Sequence, residues 1–373
     1  MDCKVSIIVP YRNEERYIRK ALYDISKQTH ENIEVICVDD SSTDLSNYIV
    51  KEFCKKDERF IHIKGNGNGS GAARNLGLRY ATGKYLCFLD SDDMFEHDMI
   101  YEAVKLSEDN DLDICIWNGC EYDNVTKEQR HNTSILFCEL LPGEKVFSWK
   151  ESKFIFNLTN GAPWNQLYRK SFFDHVGIRY MEQECYNDLF VTYGLMVNAH
   201  RIAVIEEEKI KYRVNNWKSL QGNKEISIEN AFKAYEKLKK YLIDNKLYQG
   251  DIKNSFSNMV LSSLISILDS IKTYDAFASV YKYIQETTIL SEDLKEENVF
   301  TQEIRNYLRY RNISNTDIAK YIFEIKTVVV PPPNYQYLLE CEYRLNETRK
   351  SFTYKVGMFI TYIPRTIRKK LQK

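Results

Sequence analysis

Apolar positions in the first hundred residues come in short, almost unbroken runs. Residues 5–10 (VSIIVP), 33–38 (IEVICV), 60–63 and 85–89 are each bounded by polar or glycine-rich stretches and carry many β-branched side chains. Between them the spacing is helical, running to about residue 28, from residue 42 or 43 toward residue 55, and over 72–81. Near-continuous apolar strands that alternate with helices predict an α/β fold with a mainly parallel sheet covered on both faces. A fifth strand is expected at 112–117, a weakly patterned insertion over 121–148, a helix from 186 to about 199, and two strands at 202–205 and 209–214. From 227 to about 326 apolar residues recur at three- and four-residue spacing, as in Val260, Leu264, Leu268 and Ile271, which predicts a helical region. Pro331, Pro332 and Pro333 force an extended segment. The expected division is 1–220, an α/β domain; 221–327, helical; 328–334, a linker; and 335–373, a tail.

In open α/β sheets, ligands sit beyond the carboxyl ends of the strands. Those ends here carry Pro10, Tyr11 and Glu14, then Asp39 and Asp40, then the loop 65–71 (GNGNGSG), then Asp90, Ser91 and Asp92. Four strand ends thus supply one acid-rich rim. An acid pair after a buried strand suits Mn2+ or Mg2+ holding a diphosphate, because these ions take oxygen ligands and leave positions for phosphate oxygens. The bland alternative is a solvated turn capping the next helix. Asp39 and Asp40 either accept hydrogen bonds from a nucleobase or ribose, or cap a helix with Ser42, Thr43 or Asp44. Tyr11 either stacks on a base or is one of 27 ordinary tyrosines. The glycine loop lacks the Walker and dinucleotide spacings and reads as a turn into a helix, with Arg74 one turn in and within reach of a phosphate. Asp188 falls at a helix start, where it is either a general base or an N-cap.

Composition narrows the classes further. The 373 residues are 43% hydrophobic with a formal net charge of -1, so the chain buries a core and offers no global field for nucleic acid. The nine cysteines are scattered without metal spacing, and no signal peptide precedes the first strand, which together predict a reducing cytoplasm. From residue 349 to residue 373 there are eight basic residues and no acid. Phe352, Val356, Phe359, Ile360, Ile363, Ile367 and Leu371 share one helical face there, so the tail either lies on an anionic membrane surface or docks on the protein itself; the missing acids favour the membrane.

Five segments, in this order, resemble the family 2 glycosyltransferases of the GT-A fold: VSIIVPYRNE (5–14), VDDSSTD (38–44), GAARNLG (71–77), FLDSDD (88–93) and APWNQLYR (162–169). The resemblance covers about residues 4–215. It implies a GT-A, Rossmann-like domain and an inverting, metal-dependent transfer from a nucleotide-diphosphate sugar, usually UDP-linked, to an acceptor hydroxyl of a glycan or lipid-linked saccharide. It places the nucleoside at Pro10, Tyr11, Glu14 and Asp39, the metal at Asp90 and Asp92, and the catalytic base at Asp188, with Asp40, Arg74, Ser91 and Trp164 on the donor side. Trp164 is equally readable as a buried core residue. The pattern departs at Asn187, where the family has Glu. That is the one hint of the competing reading, a relative that binds nucleotide sugar or glycan without turnover. A sugar-nucleotide pyrophosphorylase is disfavoured, since residues 10–14 (PYRNE) stand where such enzymes carry a glycine-rich basic loop. The implied setting is the inner face of the cell membrane, in bacterial glycan assembly.

Overall fold

The computed structural model describes residues 3–321 apart from 133, 184, 216–227 and 272; the linker and the basic tail lie outside the described residues. The chain divides into two compact units, parting between Phe256 and Ser257.

The first unit contains β1 (Val5–Tyr11), α1 (Ile18–Ser26), β2 (Ile33–Asp39), α2 (Ser46–Lys56), β3 (Phe60–Lys64), α3 (Ser70–Leu78), β4 (Tyr85–Phe88), β5 (Met94–Phe95), α4 (Met99–Asp109), β6 (Ile114–Asp123), β7 (Gln129–His131), β8 (Gln166–Arg169), α5 (Lys170–Val176), α6 (Leu189–Met196), β9 (Ile202–Val214) and α7 (Ile228–Asp244). The strands form one sheet in the order β3-β2-β1-β4-β8-β6-β9-β5, with β7 added to β6. β1 and β2 are buried along their whole length, as central strands covered on both faces must be. Strand β3, at the edge, buries Phe60, exposes Ile61 and ends in the exposed Lys64. Helix α1 buries Ile18, Ala21, Leu22 and Ile25, the spacing of one helical face.

Parallel pairing holds for the first four strands, with Val5↔Ile33 through Tyr11↔Asp39 and Val5↔Tyr85. The second half of the sheet is mixed. β8 runs antiparallel between β4 and β6, while β6 and β9 are parallel with register shifts around Asn118. Runs 202–205 and 209–214 are one strand, since β9 continues through Glu206, Glu207 and Glu208. The two-residue β5 hooks the turn after β4 onto β9, with Met94↔Lys211 and Phe95↔Ile210. Ser42 and Thr43 do not cap α2. That helix starts after Leu45, while the Ser42 Oγ accepts the Asn13 N–H (3.1 Å) and Asn13 Oδ1 accepts the Thr43 N–H (2.8 Å).

Helix α7 belongs to the first unit and packs on α6, with Tyr241 edge-on to Phe190 (5.7 Å between centroids), so this unit extends past residue 220. α8 (Gly250–Ser270) begins in it. The second unit is helical, with α9 (Tyr274–Glu286), α10 (Thr288–Ser291) and α11 (Ile304–Asn315). Val260, Leu264 and Leu268 are buried there. Tyr281 donates to the Thr316 carbonyl (2.9 Å), and Arg309 forks onto Asp269 (2.6 and 2.7 Å).

Candidate active site

The turn after β4 gathers acids. Asp90 keeps 30% of its side chain exposed and accepts from Arg74 Nη2 at 2.7 Å. Asp93 is 1% exposed; one oxygen accepts the Arg213 N–H (2.8 Å) and the other has no partner. Its carboxyl is pushed well above the carboxylate range by burial and then by Asp92 and Asp90. Glu14, at the end of β1, is pushed up to about 8 by burial and then by Asp92, Asp44 and Asp90, with Arg213 opposing. Arg213 Nε donates to the Asp92 carbonyl (2.7 Å), and the guanidinium lies over Tyr17 (4.5 Å) and Tyr122 (5.2 Å).

Carboxyls that burial and mutual repulsion load with protons are an oxygen donor set that a hard cation relieves. Among the described residues no cluster of three or more His, Cys, Asp or Glu is arranged to hold an ion. A cation held by Asp90 and Asp92 would leave its remaining positions to other oxygen ligands.

On the other side of β1 the acids are already occupied. Asp39 accepts the Ser42 N–H (2.8 Å) and the Asn47 side-chain amide (3.2 Å). Asp40 accepts the Gly69 N–H (3.0 Å) and lies 4.0 Å from Arg12. Pro10 and Ser91 are buried. Tyr11 sits beside Asp39 in register, and burial and then Asp39 push its phenol up. Its hydroxyl, Asn47 Oδ1 and His62 Nε2 are buried polar atoms without a hydrogen-bond partner.

Asp188 occupies the N-cap position of α6, yet its side chain makes no capping bond. Burial raises its carboxyl, Arg74 opposes that, and Asp90 adds to it. Arg74 is 4% exposed, and its two terminal nitrogens divide between Asp90 and Asn187 Oδ1 (2.8 Å). Its fork thus joins the acid turn to the residue before Asp188. Trp164 is 3% exposed and stacked face to face on Tyr212 (5.2 Å, 14°). Tyr212 in turn feels Asp93, Asp92 and Asp90.

The residues at the acid turn missed in the sequence are Asp93, Arg213 and Tyr212. Asp93 was in plain view as the fourth residue of Asp-Ser-Asp-Asp. Arg213 and Tyr212 carry no local signal, because the β5–β9 pairing alone brings them to the acid turn.

Residues 6–190 match the model for Glycosyl transferase family 2. The chain belongs to that family. EpsH of Bacillus subtilis, a protein with a glycosyltransferase name, is 29% identical to it over 273 residues, covering 72% of this chain and 78% of EpsH. Glycosyltransferase GlyA of Streptococcus pneumoniae is 30% identical over 227 residues, 57% of this chain but 31% of GlyA. Among solved structures, S. aureus TarS 1–349 with UDP-GlcNAc superposes with a TM-score of 0.63 at 19% identity, covering 83% of this chain and 88% of that one. The mannosyltransferase PcManGT of Pyrobaculum calidifontis, with GDP-Man and Mn2+, gives 0.51 at 14% identity, covering 87% and 88%. The fold of this family 2 glycosyltransferase is therefore GT-A, followed by a helical region, and its chemistry is glycosyl transfer. No helix among the described residues is long and apolar enough to cross a membrane.

Proposed function

We propose that this chain is an inverting transferase that passes a hexosyl or N-acetylhexosaminyl group from a UDP-sugar to a hydroxyl of a glycan or lipid-linked acceptor. The observation that carries this reading is the single guanidinium of Arg74, which holds Asp90 of the acid turn on one side and Asn187, the neighbour of Asp188, on the other. The carboxylate of Asp90 and the amide of Asn187, the residue before Asp188, thus sit at the two ends of one fork. The UDP and UDP-GlcNAc bound by TarS support a uridine donor.

Tyr11 and Asp39 hold the nucleoside. Asp188 takes the proton of the acceptor hydroxyl as the new bond forms at the anomeric carbon, opposite the departing diphosphate. Burial favours this, because a base whose proton affinity is raised toward the working pH removes a proton more effectively. A Mn2+ or Mg2+ ion held by Asp90 and Asp92 would supply positive charge against the leaving diphosphate. The basic tail would carry the enzyme to an anionic membrane surface, where lipid-linked acceptors reside.

A thermal-shift panel of nucleotide sugars with Mn2+ identifies the donor, because a ligand that binds only the native state raises the melting point. On that donor, Asp188→Asn is expected to lower kcat by roughly 10²–10⁴-fold with binding retained. A D188N enzyme with wild-type turnover sinks the base assignment, and a wild type that binds donor but releases no UDP favours the non-catalytic reading. Loss of vesicle co-sedimentation on truncation after Pro333 tests the tail.

A further inference from the structure

We infer that the first two turns of α3 act as the template that positions the loop 180–188, and that Arg74 and Asn75 are positioning residues for Asp188; this rests on the reading of Asp188 as the base. The contacts are dense and specific. The Asn75 side-chain amide closes a two-way pair with the backbone of Tyr180, its Nδ2 donating to the carbonyl (2.9 Å) and its Oδ1 accepting the N–H (2.9 Å). Ser70 Oγ accepts from Asn187 Nδ2 (2.9 Å), and Arg74 donates to the Asn187 Oδ1 (2.8 Å), so both ends of that amide are held from α3. The Arg74 guanidinium also lies over the Tyr180 ring at 5.4 Å. Inside the loop, the Met181 N–H donates to the Asn187 carbonyl (3.0 Å), closing it into a ring just before Asp188.

Gly71 shows how close the approach is. A Cβ there would stand 2.0 Å from the Met181 carbonyl oxygen and 2.9 Å from the Asn187 Cβ, distances that real side chains do not adopt. The segment Gly71-Ala72-Ala73-Arg74-Asn75 thus has a physical meaning. A residue without a side chain lets the backbone of the loop touch the helix, and Arg74 and Asn75, on the next turn, grip it on either side. Asn187 takes part through its neutral amide, which presents an acceptor to Arg74 and a donor to Ser70 at once. A carboxylate at this position has no N–H to offer Ser70. The loop is strained just before Asn187, as Tyr186 has φ of 53°, a conformation that persists only when surrounding contacts hold it. Because Arg74 also grips Asp90, the template ties the acid turn and the base to one element.

The test compares the full-length wild type with Asn75→Ala and Arg74→Lys. Hydrogen exchange read on peptides covering 180–188 is expected to speed at least about tenfold in both variants, with β1 and β2 unchanged, because local opening is governed by local contacts. On the sugar nucleotide that the wild type turns over, N75A is expected to lose up to about 100-fold in kcat, the scale of an ångström of misplacement, with donor KM within about threefold. R74K, which keeps the charge but not the fork, should recover less than a tenth of wild-type kcat. Unchanged exchange at 180–188 overturns the inference, and so does wild-type kcat in N75A when D188N is inactive. An active D188N instead overturns the base reading, and the exchange result then stands by itself for the template.

Discussion

Two turns in this protein look alike in sequence, Asp39-Asp40 after β2 and Asp90-Ser91-Asp92-Asp93 after β4, and they are physically opposite. In the first, the carboxylates are met by donors from their own surroundings: the Ser42 and Gly69 N–H groups, the Asn47 amide, and Arg12 at 4.0 Å. In the second, carboxyls crowd one another, so that Glu14 and Asp93 are pushed up by burial and by their acidic neighbours. Arg74 and Arg213 answer them with positive charge, and each of those is shared with another group. A strand-end acid pair is therefore held in place by its own donors in the first turn and crowded by its own charges in the second. The difference lies in the partners, not in the motif.

The largest effect that separates the two turns concerns the cation. Asp92→Ala is expected to weaken Mn2+ binding by more than about 100-fold, since even residues behind a ligand are worth about 10–100-fold. Asp39→Ala should leave Mn2+ affinity within about threefold. Calorimetric titration of Mn2+ with UDP present decides this, and equal losses in both variants would erase the distinction.

The next effect is on the apo protein. Asp39→Ala strips a charged acceptor from the Ser42 N–H and the Asn47 amide and is expected to cost about 2 kcal/mol in urea unfolding. Asp92→Asn removes one charge from a self-repelling group, so without a divalent ion its stability should equal or exceed that of the wild type at pH 8. A D92N protein that loses as much as D39A would mean that the acid turn is structural as well.

This contrast also explains what the sequence made legible. The rim was readable because the first four strands are local units whose ends must meet once the sheet forms, and Tyr11, Asp39 and the acid turn followed from that. Arg74 was placed near the acid rim, but nothing in GAARN says that its fork joins Asp90 and Asn187. Trp164 was undecidable, as one aromatic after a proline reads the same whether it faces a sugar or Tyr212. Arg213 stayed hidden because its position depends on a two-residue strand pairing across more than a hundred residues. The sheet's mixed half was blurred for the same reason: antiparallel β8 is inserted between β4 and β6, strands that do not neighbour it in sequence.

The smallest effect is the most specific to the crowded turn. Glu14 has an ordinary value of 4.5 and is pushed up to about 8 in the fold. Between those values the folded chain binds more protons at this group than the unfolded chain does. Stability therefore falls as pH rises from about 4.5 to about 8, and the slope vanishes above that range. Glu14→Gln, which keeps the shape without the titration, should remove this part of the slope, so that the variant gains on the wild type between urea midpoints measured at pH 6 and pH 9. Mn2+ should shrink the same difference, because a cation at Asp90 and Asp92 offsets the charges that raise Glu14. Asp39→Asn, at the turn whose donors are already in place, should leave the slope between pH 6 and pH 9 as it is. Parallel slopes in the wild type and E14Q, with or without Mn2+, would show that the repulsion at the acid turn is relieved by something other than a proton or a cation.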